Sequence, residues 1–174
     1  MPRSALLTPP NLLSLSRLLL AALFVASPEA TWRLLLVAVA GATDLLDGWL
    51  ARRTNTTTRW GALIDPIADR VFVLVAVLAL VAEGTFSVTE ALLFIARDLA
   101  TAIGFLVARV VPWLRPVEFK ARGPGKLVTA LQLVTLVVAL ARPSLVPPLV
   151  AVIAAVSAVA IADYTVALWR ARVR

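Results

Sequence analysis

Cysteine and histidine are both absent from the 174 residues. Their absence excludes disulfides, thiol nucleophiles, histidine bases and zinc sites built on Cys or His. Charge is also scarce. Only 16% of the residues are charged, whereas 61% are hydrophobic, and the mean hydropathy is +0.93. A soluble domain is usually about half apolar and about a quarter charged, so lipid is the expected solvent for much of this surface. The length suits a single domain spanning residues 1–174. Any acid–base or metal chemistry must fall to carboxylates, which favour hard cations such as Mg²⁺ or Mn²⁺. The formal net charge of +7 fits basic cytoplasmic loops and anionic headgroups rather than nucleic acid.

A helix crosses the hydrocarbon layer in about 20 apolar residues. Six stretches meet that length approximately: residues 11–26, 31–51, 59–82, 89–110, 126–141 and 146–169. Breakers mark the joints, at Ser27-Pro28, Glu83-Gly84, Pro112, Gly123-Pro124-Gly125, Arg142-Pro143 and Pro147-Pro148. An interfacial turn is expected at Pro9-Pro10. The opening Met1-Pro2-Arg3 lacks a cleavable-signal pattern, so the first apolar run is expected to remain as a span. No soluble domain, low-complexity tract or internal repeat stands out. Alternate loops carry most of the lysine and arginine, including Arg52, Arg53, Arg59, Lys120, Arg122, Lys126 and the tail from Arg170. The opposite loops hold Arg33 and Arg142 with Glu29, Glu83 and Glu90. Lysine and arginine collect on the cytoplasmic side. Both termini are therefore expected there, which needs an even number of spans. Trp32, Trp49, Trp60, Trp113 and Trp169 fall mostly near span ends, where interfacial anchors belong.

Four aspartates interrupt the apolar stretches: Asp44 and Asp47 in the second, Asp65 and Asp69 in the third. A carboxylate within a membrane is costly and points to function. The pairs are spaced i, i+3 and i, i+4, so each lies on one helix face. Both lie roughly 10–15 Å from the short loop that joins the two helices. Carboxylates gathered at one depth need a counter-charge. Two divalent cations would supply it and would suit a phosphoryl displacement. The plainer alternative pairs these aspartates with Arg52, Arg53, Arg70 or Arg97 to hold helices together. Gly48 and Gly61 would let a ligand or a neighbouring helix approach the backbone closely. The loop that includes Arg52 offers phosphate donors.

The arrangement Asp44-x2-Asp47-Gly48-x2-Ala51-Arg52-x8-Gly61-x3-Asp65-x3-Asp69 fixes eight residues across 26 positions. It resembles the signature of the CDP-alcohol phosphatidyltransferase family at every fixed position and gap. The segment from Pro10 to Arg17 and the run Asp65-Pro66-Ile67-Ala68-Asp69-Arg70 are also similar to that family. The resemblance implies six transmembrane helices around a cytoplasm-facing polar cavity, usually in a homodimer. It implies two divalent metals on Asp44, Asp47, Asp65 and Asp69, with Asp69 also the base on the acceptor hydroxyl. Gly48, Ala51, Arg52 and Gly61 would line the CDP site of CDP-diacylglycerol, and CMP would leave.

The acceptor alcohol is read from the later half. Arg97 lies inside the fourth stretch, and Lys120, Arg122 and Lys126 surround Gly123-Pro124-Gly125. These four cations are the candidates for binding a small anionic acceptor. A plainer reading has Arg97 pair with Asp98 while the loop cations snorkel. Gly125-Lys126-x2-Thr129-x2-Gln132 resembles the family members that use glycerol 3-phosphate. Ile95-Ala96-Arg97-Asp98 is more similar to those that make cardiolipin from phosphatidylglycerol. Glycerol 3-phosphate is the favoured acceptor. Asp163 and Tyr164 have no assigned role at this point. A membrane prenyltransferase would need more spans and a different carboxylate spacing, and a cation transporter with an aspartate site would not account for the frame of Gly48, Arg52 and Gly61.

Overall fold

The computed structural model describes the backbone of residues 9–54, 61–110 and 123–172, with the side chains of 16–43, 70–104 and 125–166 and of Val107 and Trp169. These residues form six α-helices and one short 3₁₀ turn: α1 (Pro9–Ala26), α2 (Ala30–Thr54), α3 (Gly61–Ala82), α4 (Val88–Val110), α5 (Gly123–Ala141), the 3₁₀ turn (Pro143–Leu145) and α6 (Val146–Arg172). Each lies within a few residues of an apolar stretch expected from sequence.

Pro9-Pro10, expected as an interfacial turn, and two of the expected breakers, Gly123-Pro124-Gly125 and Pro147-Pro148, lie in the first turns of α1, α5 and α6. The physical reason is the free N–H groups of a first helical turn. Proline loses nothing there, and its fixed φ suits the helix.

Two compact units divide the chain, residues 1–84 and 85–174. In the first, α1 packs against both α2 and α3. Its buried positions recur at helical spacing: Arg17, Ala21 and Phe24 on α1; Arg33, Val37 and Ala40 on α2; Phe72, Ala76 and Leu80 on α3. Phe24 and Phe72 meet edge to face with centroids 6.0 Å apart. Gly84 ends this unit with φ +76° while its N–H donates to the Val81 carbonyl at 3.0 Å. Glycine adopts that left-handed conformation without the penalty a Cβ would bring.

In the second unit α6 packs against both α4 and α5. Its buried face runs Val146, Val150, Ile153, Ser157 and Ala160. Ser87 caps α4. Its hydroxyl accepts from the Glu90 N–H at 3.2 Å, and the Glu90 carboxylate accepts from the Ser87 N–H at 2.7 Å. This reciprocal box satisfies two backbone donors that a helix start leaves unpaired. Glu90, read from sequence as a loop charge, is a capping residue.

The outward faces remain apolar, with Leu19, Leu35, Leu78, Leu92, Ile103 and Val159 all exposed. A helix apolar on every side suits lipid better than water. Among the described residues one helical segment, 143–166, is long and apolar enough by itself to cross a membrane. The charged groups inside α2 and α4 lower the hydropathy of those two helices.

Candidate functional site

The first unit carries the four aspartates on two continuous helices. Asp44 and Asp47 lie in α2, with Gly48, Ala51 and Arg52 in its last turns. Gly61 opens α3, and Asp65 and Asp69 follow within its first turns. The side chains of these eight residues lie outside the described ones. Helical backbone through both segments keeps each pair on one face, as the spacing required.

An ion pair anchors the opposite ends of these two helices. Arg33, in the first turn of α2, donates through Nη1 and Nη2 to the two carboxylate oxygens of Glu83, each at 2.6 Å. Glu83 directly follows α3. The same guanidinium donates through Nε to the Phe24 carbonyl at 3.1 Å and lies 5.0 Å from the Phe24 ring centroid. Arg33 therefore ties together all three helices of the unit. Its hydrogen bonds hold the Glu83 carboxyl below its usual pKa, against a smaller opposing effect of burial. Asp47 lies fourteen residues beyond Arg33, and Asp69 lies fourteen before Glu83. At about 1.5 Å per residue each is about 21 Å from the clamp along its helix. The carboxylate-bearing turns of α2 and α3 thus stand at matching distances from it.

The second unit gathers a polar cluster in otherwise apolar surroundings. Arg97 on α4 is 3% exposed. Its Nη1 donates to Asp98 Oδ1 at 3.1 Å, and its Nη2 makes a long 3.4 Å contact with the Tyr164 hydroxyl. Its Nε has no hydrogen-bond partner among the described residues. Gln132 on α5 donates through Nε2 to the other Asp98 oxygen and to the Phe94 carbonyl, both at 2.8 Å. Gly125 lies against the guanidinium. A Cβ there would stand 2.5 Å from Arg97 Nη2 and 2.9 Å from the Tyr164 oxygen.

Arg97 does pair with Asp98, as the plainer sequence reading held. The pairing occupies only Nη1. Nε and Nη2 share the other edge of the guanidinium, which forms a two-donor fork suited to two oxygens of one phosphate. A buried donor left unpaired is costly.

Residues 7–168 match the CDP-alcohol phosphatidyltransferase family. The chain belongs to that family. The CDP-diacylglycerol–glycerol-3-phosphate 3-phosphatidyltransferase of Aquifex aeolicus is 40% identical over 111 residues, covering 58% of this chain and 60% of its own length. The protein of the same name from Escherichia coli K12 is 33% identical over 153 residues, 78% of each chain. The chain therefore spans less than two thirds of the Aquifex relative's length.

The four cations expected to bind the acceptor differ in placement. Arg97 is buried in the cluster, and Lys126 next to Gly125 is exposed. Lys120 and Arg122 lie outside the described residues. Sequence reading left Tyr164 without a role and did not connect Gln132 to Asp98. One signal was available for Gln132. Gly125, Thr129 and Gln132 recur at helical spacing and so share a face of α5.

Proposed function

We propose that this chain is an integral membrane enzyme of phospholipid biosynthesis. It transfers the phosphatidyl group of CDP-diacylglycerol to glycerol 3-phosphate and releases CMP. The observation that carries this reading is the eight-residue pattern from Asp44 to Asp69, which lies on two continuous helices inside the matched region. The relatives' names supply the donor and the acceptor. The Arg97 fork supports an acceptor bearing a phosphate.

Residues 7–168 run through both compact units, which supports reading them as one transmembrane domain. In this reading the six helices span the bilayer around a cavity open to the cytoplasm, both termini are cytoplasmic, and the enzyme works as a homodimer. The apolar outward faces and the basic alternate loops support the membrane placement. A nucleotide leaving group and diacyl tails both need a site at the boundary between membrane and cytoplasm.

The donor set fits two divalent cations, Mg²⁺ or Mn²⁺. It is all oxygen, and the helical backbone keeps Asp44 with Asp47 and Asp65 with Asp69 on common faces. Bound there, the cations would neutralise the diphosphate and the leaving CMP. The chain's own residues do the rest. Gly48, Ala51 and Gly61 let the cytidine nucleotide approach the backbone, and Arg52 holds its phosphates. Arg97 takes the phosphate of the acceptor, with Lys120, Arg122 and Lys126 adding positive charge. Asp69 accepts the proton of the acceptor hydroxyl. The deprotonated hydroxyl oxygen of the acceptor then bonds to the phosphatidyl phosphorus as the bond to the CMP oxygen breaks.

Purified protein given CDP-diacylglycerol and Mg²⁺ tests this directly. Glycerol 3-phosphate, phosphatidylglycerol, inositol phosphate and serine are offered separately, and CMP is quantified beside an Asp69→Asn control. CMP release with glycerol 3-phosphate, lost in the control, is the expected result. Release with phosphatidylglycerol alone would move the protein to cardiolipin synthesis. No CMP with any acceptor, from folded and metal-loaded protein, would overturn the proposal.

A further inference from the structure

We infer that Asp98 and Gln132 are positioning residues that aim the Arg97 fork at the acceptor phosphate, with Gly125 providing the clearance it needs. The inference rests on the acceptor reading proposed above.

Residues adjacent on a helix do not normally face each other. Arg97 and Asp98 meet only because both side chains are drawn to one side, and the contact they make is a single 3.1 Å bond. Gln132 explains the geometry. Its amide is anchored on the Phe94 carbonyl of α4 and grips the far oxygen of Asp98. Asp98 is thereby held from α5 and in turn holds Nη1. The Thr101 hydroxyl lies 3.0 Å from both the Arg97 and the Asp98 carbonyl and shares its single hydrogen between them, so it braces the same turn of α4.

A guanidinium restrained at Nη1 presents its Nε and Nη2 edge in one orientation. Tyr164 approaches that edge only at 3.4 Å, too long for a strong bond. The space that the fork occupies exists because residue 125 has no side chain. A methyl group there would lie within 2.5 Å of Nη2, so the fork would have to move.

A purely electrostatic role for Asp98 predicts the opposite behaviour. A carboxylate beside Arg97 cancels charge, so its removal should strengthen binding of an anion. Positioning predicts weaker binding when it is removed. The sign of one measurement therefore separates the two.

The experiment measures CMP release against glycerol 3-phosphate concentration at saturating CDP-diacylglycerol, for the full chain in detergent. Arg97→Ala comes first. An unchanged KM for glycerol 3-phosphate in that variant would overturn the acceptor reading itself. If Arg97→Ala raises it, Asp98→Asn is expected to raise it about tenfold, the scale of one lost hydrogen bond to a charged group. Its kcat and its KM for CDP-diacylglycerol should stay within about twofold, because the phosphate is held alike in ground and transition states. Gln132→Met keeps the volume and removes the amide, and Gly125→Ala shifts the fork without touching the buttress. Both should raise the same KM selectively, and they carry the test independently should Asp98→Asn not fold. A lowered KM in Asp98→Asn, or an unchanged KM in both Asp98→Asn and Gln132→Met while Arg97→Ala raises it, would overturn the positioning role and leave the acceptor reading standing.

Discussion

Replacing Glu83 with glutamine keeps the shape of the side chain but removes the charge that Arg33 faces. One carboxylate oxygen becomes an NH₂ group pointed at an N–H donor, so at least one of the two 2.6 Å bonds is lost. The Arg33 side chain is only 7% exposed, whereas that of Glu83 is 44% exposed. Breaking a fully buried pair from one side costs about 3–5 kcal/mol, and water around Glu83 screens part of that. Arg33 also keeps its bond to the Phe24 carbonyl. The expected loss is therefore about 2 kcal/mol, or a fall in Tm of about 4–8 °C for a chain of this size. Thermal unfolding in one detergent at a fixed scan rate measures it. Acid gives a second handle. The folded-state pKa of Glu83 is lowered from 4.5, so its contribution is complete above the unfolded value and disappears as pH falls through the lowered one. The difference between parent and Glu83→Gln should hold at neutral pH and close as pH falls through the lowered folded-state value. A variant whose Tm matches the parent within 1 °C at neutral pH would refute the role of the clamp.

Chelation of divalent cations should abolish CMP release, and returning Mg²⁺ should restore it. Activity that survives thorough chelation would contradict the carboxylate site. Phe72 is 1% exposed and meets Phe24 edge to face; Phe72→Ala should destabilise the first unit by about 3–5 kcal/mol, read as a lowered midpoint in thermal unfolding. Gly84→Ala meets no atom within 4 Å yet must adopt φ +76°. It should cost about 1 kcal/mol by backbone strain alone, and Gly84→Asn should cost less in the same melt because asparagine tolerates that region.

The six helices were legible because each combines an apolar run of helical length with charges or breakers at its ends. Those signals are local. The same locality misassigned the prolines. Pro124 and Pro147 break a helix interior but suit a first turn, and composition does not say which position they occupy. Ser87 and Glu90 show a local signal that was present and overlooked, since Ser-x-x-Glu before an apolar run announces a capped start.

The sequence by itself determined the chemical inventory and the helical faces. With no cysteine or histidine, only carboxylates could serve, and their spacing on α2 and α3 put each pair on one side of a helix. It also determined the family, because eight residues at fixed gaps leave little room for coincidence. Only the tertiary structure decided which charges meet. Arg33 and Glu83 are 50 positions apart, and Gln132 is 34 from Asp98. Read along the chain they are two loop charges, a motif residue and a neighbour of Arg97. In the fold they are a clamp across three helices and a buttress behind a buried guanidinium. The physical reason is that helical periodicity is set by bonds within a few residues, whereas an ion pair depends on how helices lie against one another.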